Sequence, residues 1–62
     1  MNLKPFVNNK ELYGDFQEYL GELIEAKRKV LEQATDTILI YQTQGAINAL
    51  RKLKTLKEQV NG

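Results

Sequence analysis

Leu12-Tyr13-Gly14-Asp15-Phe16-Gln17-Glu18-Tyr19-Leu20-Gly21-Glu22-Leu23-Ile24-Glu25-Ala26-Lys27-Arg28-Lys29-Val30-Leu31 is the stretch that decides the fold. Within it Leu12, Phe16, Tyr19, Leu23, Ala26 and Val30 recur at alternating steps of 4 and 3, the spacing of a coiled-coil seam. Tyr13, Leu20, Ile24 and Leu31 widen that seam. Glu11, Glu18, Glu25 and Glu32 form an acidic row facing solvent. A helix over about residues 9–34 follows.

On the N-terminal side, Pro5 disfavours helix at Lys4 and lacks an N–H, so residues 1–8 read as an extended arm. Asn8 is the expected N-cap, with Glu11 at N3 as in a capping box. Val7 and Leu12 then have the spacing of a hydrophobic staple.

On the C-terminal side, Thr35-Asp36-Thr37 interrupts the pattern and supplies a second N-cap in Asp36. A second helix over about residues 37–60 follows, with Leu39, Ala46, Ala49, Leu53, Leu56 and Val60 as its seam, flanked by Ile40, Ile47 and Leu50. Charge favours folding back. Residues 9–25 hold five acids against one base, and residues 46–62 hold four bases against one acid. An antiparallel pair sets these segments side by side and agrees with the helix macrodipoles. The rival is one uninterrupted helix in a long parallel coiled coil. The expected fold is therefore all-α: an antiparallel two-helix hairpin over residues 9–62 behind the arm, assembling into a helical bundle.

The bundle is expected because the apolar arc spans about 160° of each helix, against roughly 100° for a minimal core face. On this reading Leu20, Ile24, Leu31, Ile40, Ile47 and Leu50 are left wet in a monomer, forgoing on the order of 1.5–3 kcal/mol each. These six are candidate partner-binding residues. Phe6 on the arm and Tyr41, pointing away from the seam, join them, because aromatic anchors dominate interface energetics. Phe16 and Tyr19 read as core. Gly14 and Gly21 lie seven residues apart on one outer face, and Gly45 sits beside the second seam.

Composition excludes much chemistry. The chain has 62 residues with no Cys, His, Ser or Trp and a net charge of +1. It thus lacks the commonest general base, the serine and cysteine nucleophiles, and the imidazole and thiolate metal ligands. Glu11, Asp15, Glu18 and Glu22 make i,i+4 carboxylate pairs, but they face outward, so no catalytic site, metal or cofactor is expected. Lys27-Arg28-Lys29 could touch phosphates or an acidic partner. It reads more simply as a solvated face with Glu25–Lys29 and Arg28–Glu32 pairs. The Arg51-Lys52-Lys54-Lys57 group lies beside an acidic helix, so nucleic acid is not the expected partner. Neither a secretory leader nor a membrane span is expected from the opening residues or from the apolar run Ile38 to Tyr41. The expectation is a cytoplasmic protein.

The segment Ile40-Tyr41-Gln42-Thr43-Gln44-Gly45-Ala46-Ile47-Asn48-Ala49-Leu50-Arg51-Lys52-Leu53-Lys54-Thr55-Leu56 resembles the second helix of short helical-hairpin proteins encoded by tailed bacteriophages. Tyr41, Gln44 and Gly45, after an Asp-started turn, carry the resemblance beyond its leucines. It implies a non-enzymatic, virion-associated or assembly-linked protein, in the host cytoplasm or the particle, that binds itself or a larger protein assembly. It carries over no catalytic residue. Two alternatives stand beside it: a phage factor that binds and inhibits a host enzyme, and a dimeric RNA-binding hairpin, the latter similar in architecture to plasmid copy-number regulators.

Overall fold

Two adjacent asparagines divide the first helical turn from the long helix that follows it. The computed structural model describes residues 2–62, so Met1, at the head of the expected arm, lies outside the described residues. The rest of the arm is not extended. Lys4–Val7 forms a single helical turn, α1, with Pro5 in its first positions, where a missing N–H costs nothing. Asn8 closes that turn, its N–H donating to the Lys4 carbonyl at 3.0 Å. Asn9, not Asn8, is therefore the N-cap of the next helix: its side-chain oxygen accepts from the Leu12 N–H at 3.0 Å.

That helix, α2, runs Lys10–Gln33. Residues 34–36 turn the chain, and α3 runs Thr37–Lys54. Asp36 caps it as its chemistry predicts, accepting from the Ile38 N–H at 2.9 Å. A further break at Thr55 separates a short α4, Leu56–Asn61. The fold is all-α, with four helices among the described residues rather than two. α2 and α3 pack along their lengths in opposite directions: the start of α2 meets the end of α3 through Tyr13 and Lys54, and Leu31 faces Ile47 near the turn.

The break at Thr55 has a local cause. The Thr55 hydroxyl donates to the Lys52 carbonyl at 2.8 Å, and Gln59 Nε2 donates to the same carbonyl at 3.0 Å. A threonine that bonds back to its own preceding turn competes with the helical ladder. The freed Lys54 carbonyl then accepts from Gln17 Nε2 at 2.7 Å and from the Tyr13 hydroxyl at 3.3 Å. The same hydroxyl accepts from the Lys57 N–H at 3.0 Å. Tyr13 thus ties α2 to both sides of the break.

α1 and α4 close this end of the pair. Asn8 and Asn61 exchange side-chain amide bonds of 3.3 and 2.9 Å. Phe6 packs edge-on against Tyr13 and Phe16, with centroid distances of 5.8 and 5.3 Å. Val7 beneath them is almost wholly buried.

The seam between α2 and α3 is one residue away from the one the spacing selected. Tyr13, Leu20 and Ile24 of α2 and Thr43 and Ile47 of α3 are buried, while Leu31, Ile40 and Leu50 are half-buried beside them. Leu12, Tyr19 and Val30, expected in the core, are exposed.

Candidate functional site

An α-helix turns about 100° per residue, so the residue just before each buried position lies about a quarter turn to one side of the seam. In an antiparallel pair, the side marked "one before" is the same side of the pair for both helices. Leu12, Tyr19, Leu23 and Val30 each precede or flank the buried positions of α2 in this sense. Leu39, Ala46 and Ala49 do so for Ile40, Ile47 and Leu50 of α3, and Leu53 continues their stripe. The two stripes merge into one apolar face spanning both helices. Tyr19 keeps 57% of its surface exposed and Leu12 55%; Val30, Leu39 and Leu53 are exposed as well.

The opposite side is built from the residues one after the buried positions. Gly21, Gln44, Asn48 and Arg51, together with Arg28, line open grooves of about 390 and 370 Å³. Ile24 and Leu31 form the groove floor, and Glu25 and Lys54 stand at its edge. One long side of the hairpin is therefore apolar and the other polar and cationic.

The candidate residues read from the sequence divide accordingly. Leu20, Ile24 and Ile47, expected to be wet, retain only 2, 8 and 5% of their surface. Leu31, Ile40 and Leu50 line the same intramolecular seam. The first three are core of the chain itself and the other three flank it half-buried, because Tyr13 and Gln17 dock on the Lys54 carbonyl and so turn their stripe inward. Phe6 is half-buried in its own aromatic cluster and presents no free ring. Tyr41 is 70% exposed on α3, away from the seam.

Lys27, Arg28 and Lys29 are all exposed. Arg28 pairs with Glu25 at 3.2 Å, one turn back, rather than with Glu32. Gly14, Gly21 and Gly45 each have open space where a Cβ would stand, so no neighbouring backbone within the chain requires them.

Gln17 and Thr43 are the positions that periodicity overlooked, and Tyr13 it placed at the margin of the seam rather than in it. Gln17 and Thr43 interrupt the true seam with polar residues, which made the unbroken heptad beside it look better. The available signal was the match between a Tyr and a Gln four residues apart and a carbonyl freed by a downstream helix break.

No helix among the described residues is long and apolar enough to cross a membrane. The chain matches no family model, and no curated protein or solved structure is significantly similar to it.

Proposed function

We propose that this chain is a non-enzymatic protein-interaction module, a phage structural or assembly-associated protein that works through the face formed by Leu12, Tyr19, Leu23, Ala26 and Val30 of α2 and Leu39, Ala46, Ala49 and Leu53 of α3. The observation that carries the reading is the contrast in treatment of two neighbouring stripes. The chain covers Leu20, Ile24 and Ile47 completely with its own helices, yet leaves five large apolar side chains of the adjoining face at 40% exposure or more. A contiguous apolar face on a small chain marks a surface that another protein covers. A second copy, completing a helical bundle, and a larger assembly are the two occupants of this reading.

Chemistry supports the non-enzymatic part. The chain has no His, Cys or Ser to act as base or nucleophile. The phage origin rests on the resemblance carried by Tyr41, Gln44 and Gly45; of these, Tyr41 is prominently exposed. The host-enzyme inhibitor uses the same face with a different occupant. The RNA reading draws on Arg28, Arg51 and Lys54 around the polar groove, but Arg28 is held by Glu25 there.

The test is density-gradient purification of particles from the encoding phage, comparing the native chain with a Tyr19→Lys, Leu53→Lys double variant. The native chain should travel with particles and the variant should not. Loss of the native chain from particles, with face-dependent capture of one host enzyme, moves the assignment to the inhibitor. RNA binding that weakens steeply with salt moves it to the RNA-binding hairpin.

A further inference from the structure

The apolar face raises the question of which occupant its own geometry fits. Resting on the reading above, we infer that a second copy of this chain covers it, related by a two-fold axis parallel to the helices, so that α2 of each copy lies over α3 of the other.

Area makes a pair of copies sufficient. Leu12, Tyr19, Val30, Leu39 and Leu53 are 40–57% exposed. With the half-buried and small residues between them they offer on the order of 500 Å² per copy, so two copies bury about 1,000 Å², the threshold for a specific interface. The molecule measures 42 × 19 × 16 Å, and the face runs along its long dimension.

Charge selects the symmetry. Asp15 and Glu22 sit a turn from Leu12, Tyr19 and Ala26, on the outer edge of the face along α2. Lys52 sits a turn from Ala49, on the outer edge along α3. Gln17 reaches the Lys54 carbonyl, and Ile24 shares a groove with Arg51, so Lys52 is level with the stretch from Tyr19 to Leu23. A two-fold axis parallel to the helices preserves these levels while exchanging the edges. Glu22 of one copy then meets Lys52 of the other, twice. A two-fold axis across the helices instead brings Glu22 toward Glu22 and Lys52 toward Lys52.

Packing agrees with the same choice. Along α2 over α3, Tyr19 falls on Leu53, Ala26 on Ala46 and Ala49, and Val30 near Leu39. Small residues at the middle let the helices approach, and larger ones fill both ends. Every helix in the resulting four-helix core has antiparallel neighbours, the arrangement macrodipoles favour.

Sedimentation equilibrium and disulfide trapping test this directly, since the chain has no cysteine of its own. The native chain should sediment at twice its 7.1 kDa, and the Tyr19→Lys, Leu53→Lys variant should sediment as a monomer with unchanged helical circular dichroism. Mixed Glu22→Cys and Lys52→Cys copies should form a mixed disulfide under mild oxidation, while Glu22→Cys alone should not cross-link to itself. Monomeric native chain at about 1 mM, or a dimer unaffected by the double variant, overturns the proposal. A Glu22→Cys self-disulfide without the mixed one overturns it too. Particle association of a monomeric native chain, lost in the double variant, would overturn the self-pairing while keeping the interaction reading. Self-pairing with no particle association would keep the two-fold pair and overturn the phage-assembly assignment.

Discussion

Tyr19 and Leu20 are neighbours in sequence and opposites in the molecule. Leu20 belongs to the stripe Tyr13–Leu20–Ile24–Leu31, which α3 covers; Tyr19 belongs to Leu12–Tyr19–Leu23–Val30, which the chain leaves exposed apart from half-buried Leu23. Both stripes have helical spacing and both are apolar. What separates them is the end of the molecule rather than its middle. Tyr13 and Gln17 find hydrogen-bond partners at the broken end of α3, and that anchorage rotates α2 by one residue from the register its heptads favour. A one-residue step is about 100°, enough to exchange a core face for a binding face.

The largest effect should come from attacking the two stripes separately. Leu20→Lys places an uncompensated charge in the seam, at a cost of about 4 kcal/mol or more. A chain of this size has roughly 3–9 kcal/mol in total. Leu20→Lys should therefore lose most of its helical circular dichroism at 25 °C. Tyr19→Lys, measured on dilute monomer, should change stability by less than about 0.5 kcal/mol. Reversal of the two outcomes would mean that the perfect heptad is the seam and that the faces described above are exchanged.

Next in size is the anchorage itself. Tyr13→Phe keeps the ring against Phe6 and Phe16 but removes the hydroxyl shared by Lys54 and Lys57. The Lys54 carbonyl retains Gln17, whereas the part-buried Lys57 N–H loses its partner. The cost should be about 1–2 kcal/mol, which for a chain this short lowers Tm by several degrees. Faster amide exchange at Lys57 should accompany it. An unchanged melting curve would show that something other than this hydroxyl sets the register.

How much of this was legible in the sequence depends on whether the signal was local or distant. The all-α class, the long helix ending near residue 34 and the cap at Asp36 came from periodicity and capping, and those act within a turn or two of chain. The stripe that becomes core did not, because two candidates of similar hydrophobicity were separated only by a contact between Tyr13 and Lys54, 41 residues apart. The break at Thr55 was hidden for a related reason. Threonine continues helices in many settings, and here it ends one through its bond to Lys52 and the support of Gln59. The partner residues assigned to Leu20, Ile24 and Ile47 followed from the wrong stripe, while the surplus of apolar surface that motivated them exists one residue over.

Asn8 and Asn9 offer a smaller and sharper version of the same contrast. Asn9→Ala removes a cap that holds the Leu12 N–H at 3.0 Å and should cost about 1 kcal/mol. Asn8→Ala removes an exposed amide exchange with Asn61 and should cost a few tenths of a kcal/mol. Urea melts of the two variants distinguish them. Equal losses would place the helix start between the two residues rather than at the second.

The smallest effect belongs to the basic run. Replacing Lys27, Arg28 and Lys29 together with Gln removes three exposed charges and one exposed ion pair, Arg28 with Glu25 at 3.2 Å. A pair this open to solvent contributes little, because water screens it and two long side chains must be held in place. Arg28 lines the polar groove and Lys29 turns away from the apolar face, whereas Lys27, four residues after Leu23 and three before Val30, borders that face as an exposed charge. Stability should therefore move by less than about 0.5 kcal/mol, and self-association measured by sedimentation should not weaken, since losing the Lys27 charge beside the apolar face removes nothing that holds the copies together. Weaker pairing in the triple variant would carry a specific meaning. It would place the cationic groove, not the Leu12–Tyr19–Val30 face, between the copies, and the two long sides of the hairpin would have to exchange roles.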